Sequence, residues 1–124
     1  MTNQSLQAWY DNYLATFNAQ DLSGLEEFLA PQIYFDWGGD MEDLDGREAF
    51  FAFYRIAWQH FTERVRGTIL AADEHHIRAL VENTIEVTRD WPDSPLRPYT
   101  QGEVIHLKGE MTYTLQDRKI TRIA

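Results

Sequence analysis

Apolar positions near the start of the chain recur at helical spacing. Leu6, Trp9, Tyr10, Tyr13, Leu14 and Phe17 form one stripe and predict an amphipathic helix over residues 3–18. Asp21 suits the N-cap of a second, shorter helix carrying Leu22, Leu25, Phe28 and Leu29. Pro31 ends it, because the residue before a proline avoids the helical region. Ile33 to Trp37 reads as a short strand, broken by Gly38-Gly39. Asp45, with Glu48 three residues on, makes a capping-box pattern. The third helix follows, with Phe50, Phe53, Tyr54, Ala57, Trp58 and Phe61 on its stripe.

The period then changes from helical to alternating. Val65 to Ala72 and Ile77 to Trp91 predict two strands around a turn at Asp73-Glu74-His75-His76. In the second, Ile77, Ala79, Val81, Asn83, Ile85 and Val87 share one face. Trp91 to Pro98 is too proline-rich to pair and predicts a loop. Tyr99 to Leu115 is a further long strand, in which Gly102 and Gly109 suggest bulges or sharp curvature. Gln116-Asp117-Arg118 turns the chain into a final strand, Lys119 to Ile123. The order α-α-β-α-β-β-β-β predicts an α+β fold. In it a cone-shaped, curved mixed β-sheet wraps around three N-terminal helices, in one domain spanning residues 1–124.

Composition narrows the function. The chain has 124 residues, 44% of them hydrophobic, enough for a real core. A net charge of -9 argues against nucleic acid and against anionic lipid as partners. No apolar run approaches a membrane span, and Met1 to Gln7 lacks a signal-peptide pattern, so a cytoplasmic location is expected. The absence of cysteine excludes disulfides, thiolate catalysis and cysteine-bound metal. The acidic stretch Asp36, Asp40, Glu42, Asp43, Asp45 and Glu48 invites a calcium reading. With Gly46 as the loop glycine, however, the first and last ligand positions fall on Met41 and Ala52. No metal and no cofactor are therefore expected.

Asn83 is the one polar side chain on its strand face, and a buried amide must be satisfied by protein or by ligand. Glu103 points the same way from the neighbouring strand, unless a bulge slips the register and leaves it solvated. Buried there, its raised pKa would suit base work. Phe35, Trp37, Phe53, Trp58, Met111 and Tyr113 line an apolar pocket or belong simply to the core. The opposite strand faces carry Arg78, Leu80, Glu82, Thr84 and Glu86, with Val104, His106 and Lys108. That mixed surface suits a homodimer formed through the sheet face.

Two segments carry a family resemblance: Asn12-Tyr13-Leu14-Ala15 with Phe17 to Leu25, and Gly46-Arg47-Glu48-Ala49-Phe50 running to Phe53-Tyr54. Asp117-Arg118-Lys119-Ile120 stands where the family usually has a turn with glycine before lysine. Over its whole length the chain resembles the nuclear-transport-factor-2-like superfamily. That group includes ketosteroid isomerases, SnoaL-like polyketide cyclases, limonene epoxide hydrolase and scytalone dehydratase. The resemblance implies that Tyr13 donates a hydrogen bond to a substrate oxygen and that Tyr54 supports it. The isomerase base position falls on Trp37. Asp36 faces the other side, and Asp40 reaches the site only by folding back past two glycines. A second acid position falls near Glu110 or Met111. The arginine and aspartate of epoxide hydrolases fall on Val81 and Asn83, so that pattern is absent. Of the four histidines, His60, His75, His76 and His106, none falls clearly on a pocket face, where scytalone dehydratase-type sites use them.

The expected function is binding of a hydrophobic small molecule in an aromatic-lined cavity. Cofactor-free isomerisation, cyclisation or dehydration by proton transfer could follow. Candidate catalytic residues are Tyr13, Asp40 and Glu103. Candidate ligand contacts are Tyr13, Phe35, Trp37, Tyr54, Trp58, Asn83, Met111 and Tyr113. The alternative is a non-catalytic dimeric interaction module. A ligand-sized cavity holding a carboxylate favours the first reading, and a cavity closed by Trp37 and Trp58 the second.

Overall fold

The computed structural model describes residues 3–39 and 42–124. Its elements are α1 (Asn3–Asn18), α2 (Leu22–Leu25), β1 (Leu29–Phe35), β2 (Leu44–Asp45), α3 (Arg47–Ala57), β3 (Phe61–Ala72), β4 (His76–Val87), β5 (Val104–Gln116) and β6 (Lys119–Ile123). The strands form one six-stranded sheet in the order β2-β1-β6-β5-β4-β3. β1 and β6 run parallel and the other pairs antiparallel, so the sheet is mixed. It is curved and unclosed, with the helices on its hollow side. This is the predicted α+β cone.

The first helix matches its predicted span because a long stripe leaves little choice of boundary. Leu6, Tyr10, Tyr13, Leu14 and Phe17 are buried on it, and Trp9 is half-buried. Asp21 caps α2 as predicted, accepting from the Gly24 N–H at 2.9 Å. The helix itself is only one turn, so Phe28 and Leu29 leave it and Leu29 opens β1. Pro31 lies inside that strand. It is tolerated because its missing donor falls in the irregular pairing between Leu29 and Tyr34.

Four other expectations are corrected. Asp45 does not cap α3, since it pairs with Tyr34 in the short strand β2. Gly46 takes the cap position at φ 97°, a conformation that glycine adopts without a Cβ penalty. The predicted stripe overran the end of α3: the helix stops at Ala57, and Phe61 opens β3 instead. Gly109 makes no bulge, for it pairs in regular register with Val81, while Gly102 sits before β5 in a turn. Tyr99, predicted to begin that strand, forms only an isolated bridge to Trp91.

The Asn18 side chain fixes β3 against the helices. Its Nδ2 donates to the Val65 carbonyl at 2.9 Å, and its Oδ1 accepts from the Val65 N–H at 2.8 Å. The amide thus mimics a neighbouring strand. It holds β3 in place two residues from Glu63.

A cavity with a buried carboxyl

Between α1, α3 and the hollow of the sheet lies a cavity of about 390 Å3. That is ligand size. Its inner walls are Tyr13, Leu14, Phe17, Phe35, Phe50, Tyr54, Val65, Val81 and Tyr113. Toward solvent it is bordered by Trp37, Leu107, Lys108, Gly109 and Glu110. This mouth lies where β6 has ended: β6 pairs only with the second half of β5, from Tyr113 onward, leaving Val104 to Met111 bonded to β4 alone.

Glu63 is the buried carboxyl on this wall. Inward positions on β3 are Phe61, Glu63, Val65, Gly67 and Ile69, which face Val87, Ile85, Asn83, Val81 and Ala79 across the ladder. The carboxyl therefore lands diagonally from Asn83, whose Nδ2 donates to Glu63 Oε2 at 2.5 Å. Burial is the largest effect on its pKa, pushing it from 4.5 up to about 7. The Asn83 amide and the Trp58 indole, both donors, hold it from rising further. Glu63 Oε1, Asn83 Oδ1 and Trp58 Nε1 are all closed off from solvent without a hydrogen-bond partner. The indole N–H thus points its positive end at the carboxyl without completing a bond.

Tyrosines surround this pair. Tyr10 donates to the Tyr113 hydroxyl at 3.1 Å, which ties both rings into the core. Tyr13 and Tyr54 differ: among the described residues neither hydroxyl has a hydrogen-bond partner. Burial holds both phenols neutral, far above the ordinary tyrosine range, and the nearby Glu63 adds to the shift. Each offers a donor to whatever occupies the cavity. At the mouth Trp37 stacks on Phe35 with ring centroids 4.2 Å apart, and its buried indole N–H is also unpartnered.

Most of the predicted contact residues meet here. Tyr13, Phe35, Trp37, Tyr54, Asn83, Met111 and Tyr113 all border the cavity. Trp58 does not: it caps α3 behind the wall, packs on Phe17 and Tyr54, and reaches the cavity only through Glu63. Glu103 is not there either. It precedes β5, where it accepts from the Thr100 N–H at 2.6 Å and binds Arg97 at 2.9 Å, which keep its carboxyl below the usual range. Its neighbours decide this, since it lies outside the strand and the inward face begins at Ile105. Asp40 lies outside the described residues. Asp36 borders the mouth but is paired with Arg122 at 2.9 Å. Among the described residues, no cluster of three or more His, Asp or Glu side chains could hold a metal.

The comparisons with known proteins agree with this architecture. No curated protein matches the chain. A protein from Xanthomonas campestris classed as a polyketide cyclase is 25% identical, with a TM-score of 0.77 over 98% of this chain and 88% of its own. One of the same class from Silicibacter is 20% identical, with a TM-score of 0.81 over 100% of this chain and 89% of its own. An LEH-like epoxide hydrolase from Mycobacterium tuberculosis shares the fold at 10% identity, with a TM-score of 0.72 over 94% of this chain and 77% of its own. The model of the SnoaL-like domain matches residues 10–123, nearly the whole chain, and the protein therefore belongs to the SnoaL-like domain family, within the nuclear-transport-factor-2-like fold.

Proposed function

We propose that this protein binds an apolar small molecule in the cavity and moves a proton on it, with Glu63 as the acid-base group. The observation that carries the reading is a carboxyl with a pKa of about 7 bordering a 390 Å3 cavity. At neutral pH such a group is present in both forms, so it can accept a proton or return one. Asn83 orients the carboxyl through Oε2. Tyr13 and Tyr54 donate to a ligand oxygen on which negative charge develops. Trp37, Phe35, Met111 and Tyr113 supply apolar contact. The chemistry needs only these side chains. Isomerisation, cyclisation and dehydration are all within its reach, and the likeness to the Xanthomonas protein supports the second.

A thermal-shift screen of steroid-like and polyketide-like compounds tests the binding. Each stabilising compound is then incubated with wild type and with Glu63→Gln and followed by NMR. Conversion by wild type alone is the expected result. Compounds that bind and stay unchanged with wild type would retire the catalysis and leave a binding protein. A screen with no stabilising compound would retire the ligand site.

Tyr13→Phe should leave the melting temperature nearly unchanged, because the hydroxyl bonds to no described protein group. It should weaken binding of an oxygen-bearing ligand by about 0.5–1.5 kcal/mol, the worth of one neutral hydrogen bond. Titration calorimetry on both proteins checks this, and equal affinities would remove Tyr13 from the site.

We also propose that two copies pair through the outer face of the sheet, in the cytoplasm. Val104 is 56% exposed there, opposite Glu86, and Leu80 shares the face further along β4 among the mixed charges of the two strands. Light scattering should give a dimer mass at micromolar concentration, and a monomer mass would sink the idea. No described helix is long and apolar enough to cross a membrane.

A further inference from the structure

One long strand of the sheet has an open edge. From His106 to Glu110 on β5 every residue is exposed, including Leu107, which faces the hollow of the sheet and is still 53% exposed. A missing neighbour is the cause. Val87 donates to the Glu103 carbonyl, so by the alternation of an antiparallel ladder Ile105, Leu107 and Gly109 also turn their N–H and C=O to β4. His106, Lys108 and Glu110 turn theirs the other way. On that side Thr112 exchanges two bonds with Ala124, at 2.8 and 3.0 Å, and the pairing goes no further. Among the described residues, no protein group meets the three N–H and three C=O groups of His106, Lys108 and Glu110. Natural sheets cover or blunt such edges. β3, at the end of this sheet, is covered: α1 packs on it, and Asn18 bonds both backbone groups of Val65. The open edge of β5 is also the rim of the cavity, which Leu107, Lys108, Gly109 and Glu110 border. Lys108 and Glu110 pair with Glu82 and Leu80, so their side chains lie on the outer face of the sheet. It is their backbone that they bring to the mouth.

We propose that the ligand is an apolar head joined to an extended, amide-bearing tail, and that the tail pairs with the open edge of β5 as a short added strand. This rests on the reading above, that the cavity is the ligand site. A ligand that fills the cavity and projects from its mouth runs onto this edge. The edge offers a donor and an acceptor at every second residue, about 7 Å apart. An extended peptide turns its own N–H and C=O to one side at the same repeat. A hydrocarbon tail brings neither group. Leu107, on the inner side, gives the tail an apolar seat. A second copy of this chain is a poorer occupant. Paired edge to edge about Leu107, it would set Val104 opposite Glu110 and Lys108 opposite His106, with no complementary pair among them.

N-methyl-2-naphthamide supplies the head alone, and 2-naphthoyl-tetraalanine N-methylamide the head with a tail. Calorimetry should find the tailed probe bound roughly tenfold tighter, the worth of one to two net backbone hydrogen bonds. Hydrogen exchange followed by NMR should show the His106, Lys108 and Glu110 N–H groups exchanging freely in the unliganded protein. The tailed probe should protect them and the head should not. Tailed probes N-methylated on the first and third alanines, or on the second and fourth, should differ. One pattern removes the gain and the other keeps it, because alternate residues of a strand face opposite ways. Lys108→Pro removes the central edge donor without touching the ladder to β4. It should bind the head as wild type does and lose most of the gain from the tail. If it does not fold, the methylated probes decide. If the head binds as tightly as the tailed probe, or the two methylation patterns act alike, the tail proposal fails and the ligand site stands. If the three N–H groups are already protected without ligand, the edge is covered by a second copy or another segment, and the proposal fails. If neither probe binds, both readings fall.

Discussion

Glu63→Gln should make the protein more stable at pH 8 and abolish any proton transfer it performs. The carboxyl titrates at about 7 in the folded chain and near 4.5 when exposed. Between those values the native state holds a proton that the unfolded state has lost. Stability therefore falls as pH rises through this window, and it is highest below 4.5 as far as this group is concerned. The gap is worth about 3 kcal/mol once pH exceeds 7, taking 1.36 kcal/mol for each pH unit. Glutamine carries no charge at any pH, and its amide oxygen still accepts from Asn83. The variant should melt higher than wild type at pH 8, by on the order of 10 °C, and by little at pH 4.5. Melting curves from pH 4.5 to 8 on the two proteins check this. Parallel curves would mean that Glu63 is solvated and no base. A stability gain bought with lost chemistry is what a strained functional residue shows.

The fold was legible because its signals are long. Six apolar residues on one stripe define α1, and six alternating positions define the inward face of β4. Such runs survive an error of a residue or two at either end. The short elements were less legible, since tertiary pairing decides them. α2 lasts one turn because Phe28 is drawn into the core against Trp9 and Tyr13. β2 exists only because Leu44 and Asp45 meet β1, and nothing in two residues announces that.

The cavity's walls were readable, but the carboxyl on them was not, and one boundary explains the difference. Phe61 continues the helical stripe of α3 and also begins the alternation of β3. Assigning it to the helix starts the strand at Val65 and passes over Glu63. Carrying the alternation back from Ile69 and Val65 by one more step would have placed a carboxylate on the cavity face. With the strand starting at Val65, Asp40 and Glu103 are the carboxylates left as candidates. Asp40 lies outside the described residues, and Glu103 owes its position to Arg97 and the Thr100 N–H. Asn83 was found because it was the exception on a clean apolar face. It led to the right place without naming its partner.

Gly67→Ala should destabilise the protein by about 1–3 kcal/mol, while Gly109→Ala should change stability by less than about 0.5 kcal/mol. The two glycines flank Val81 in the same row of the sheet, Gly67 on β3 and Gly109 on β5. A methyl group on Gly67 would lie 2.7 Å from Cε2 and 2.8 Å from Cζ of Tyr10, and nearer still to its hydroxyl. Tyr10 cannot withdraw. It is wholly buried, packed edge-on against Tyr113 and bonded to that residue's hydroxyl at 3.1 Å. Gly67 is thus the gap that seats the Tyr10 ring. On Gly109 the same methyl group meets nothing within 4 Å. There the space belongs to the mouth of the cavity. Gly109→Leu should therefore fold normally yet block ligands, and Gly67→Ala should fold poorly without touching the mouth. Tyr10→Phe, which removes the closest atom, should recover part of the Gly67→Ala loss in a double-mutant cycle. Melting temperatures and calorimetric binding separate these effects. Equal destabilisation by alanine at the two glycines would show that the ring is not seated against Gly67 and that the cavity does not open beside Gly109.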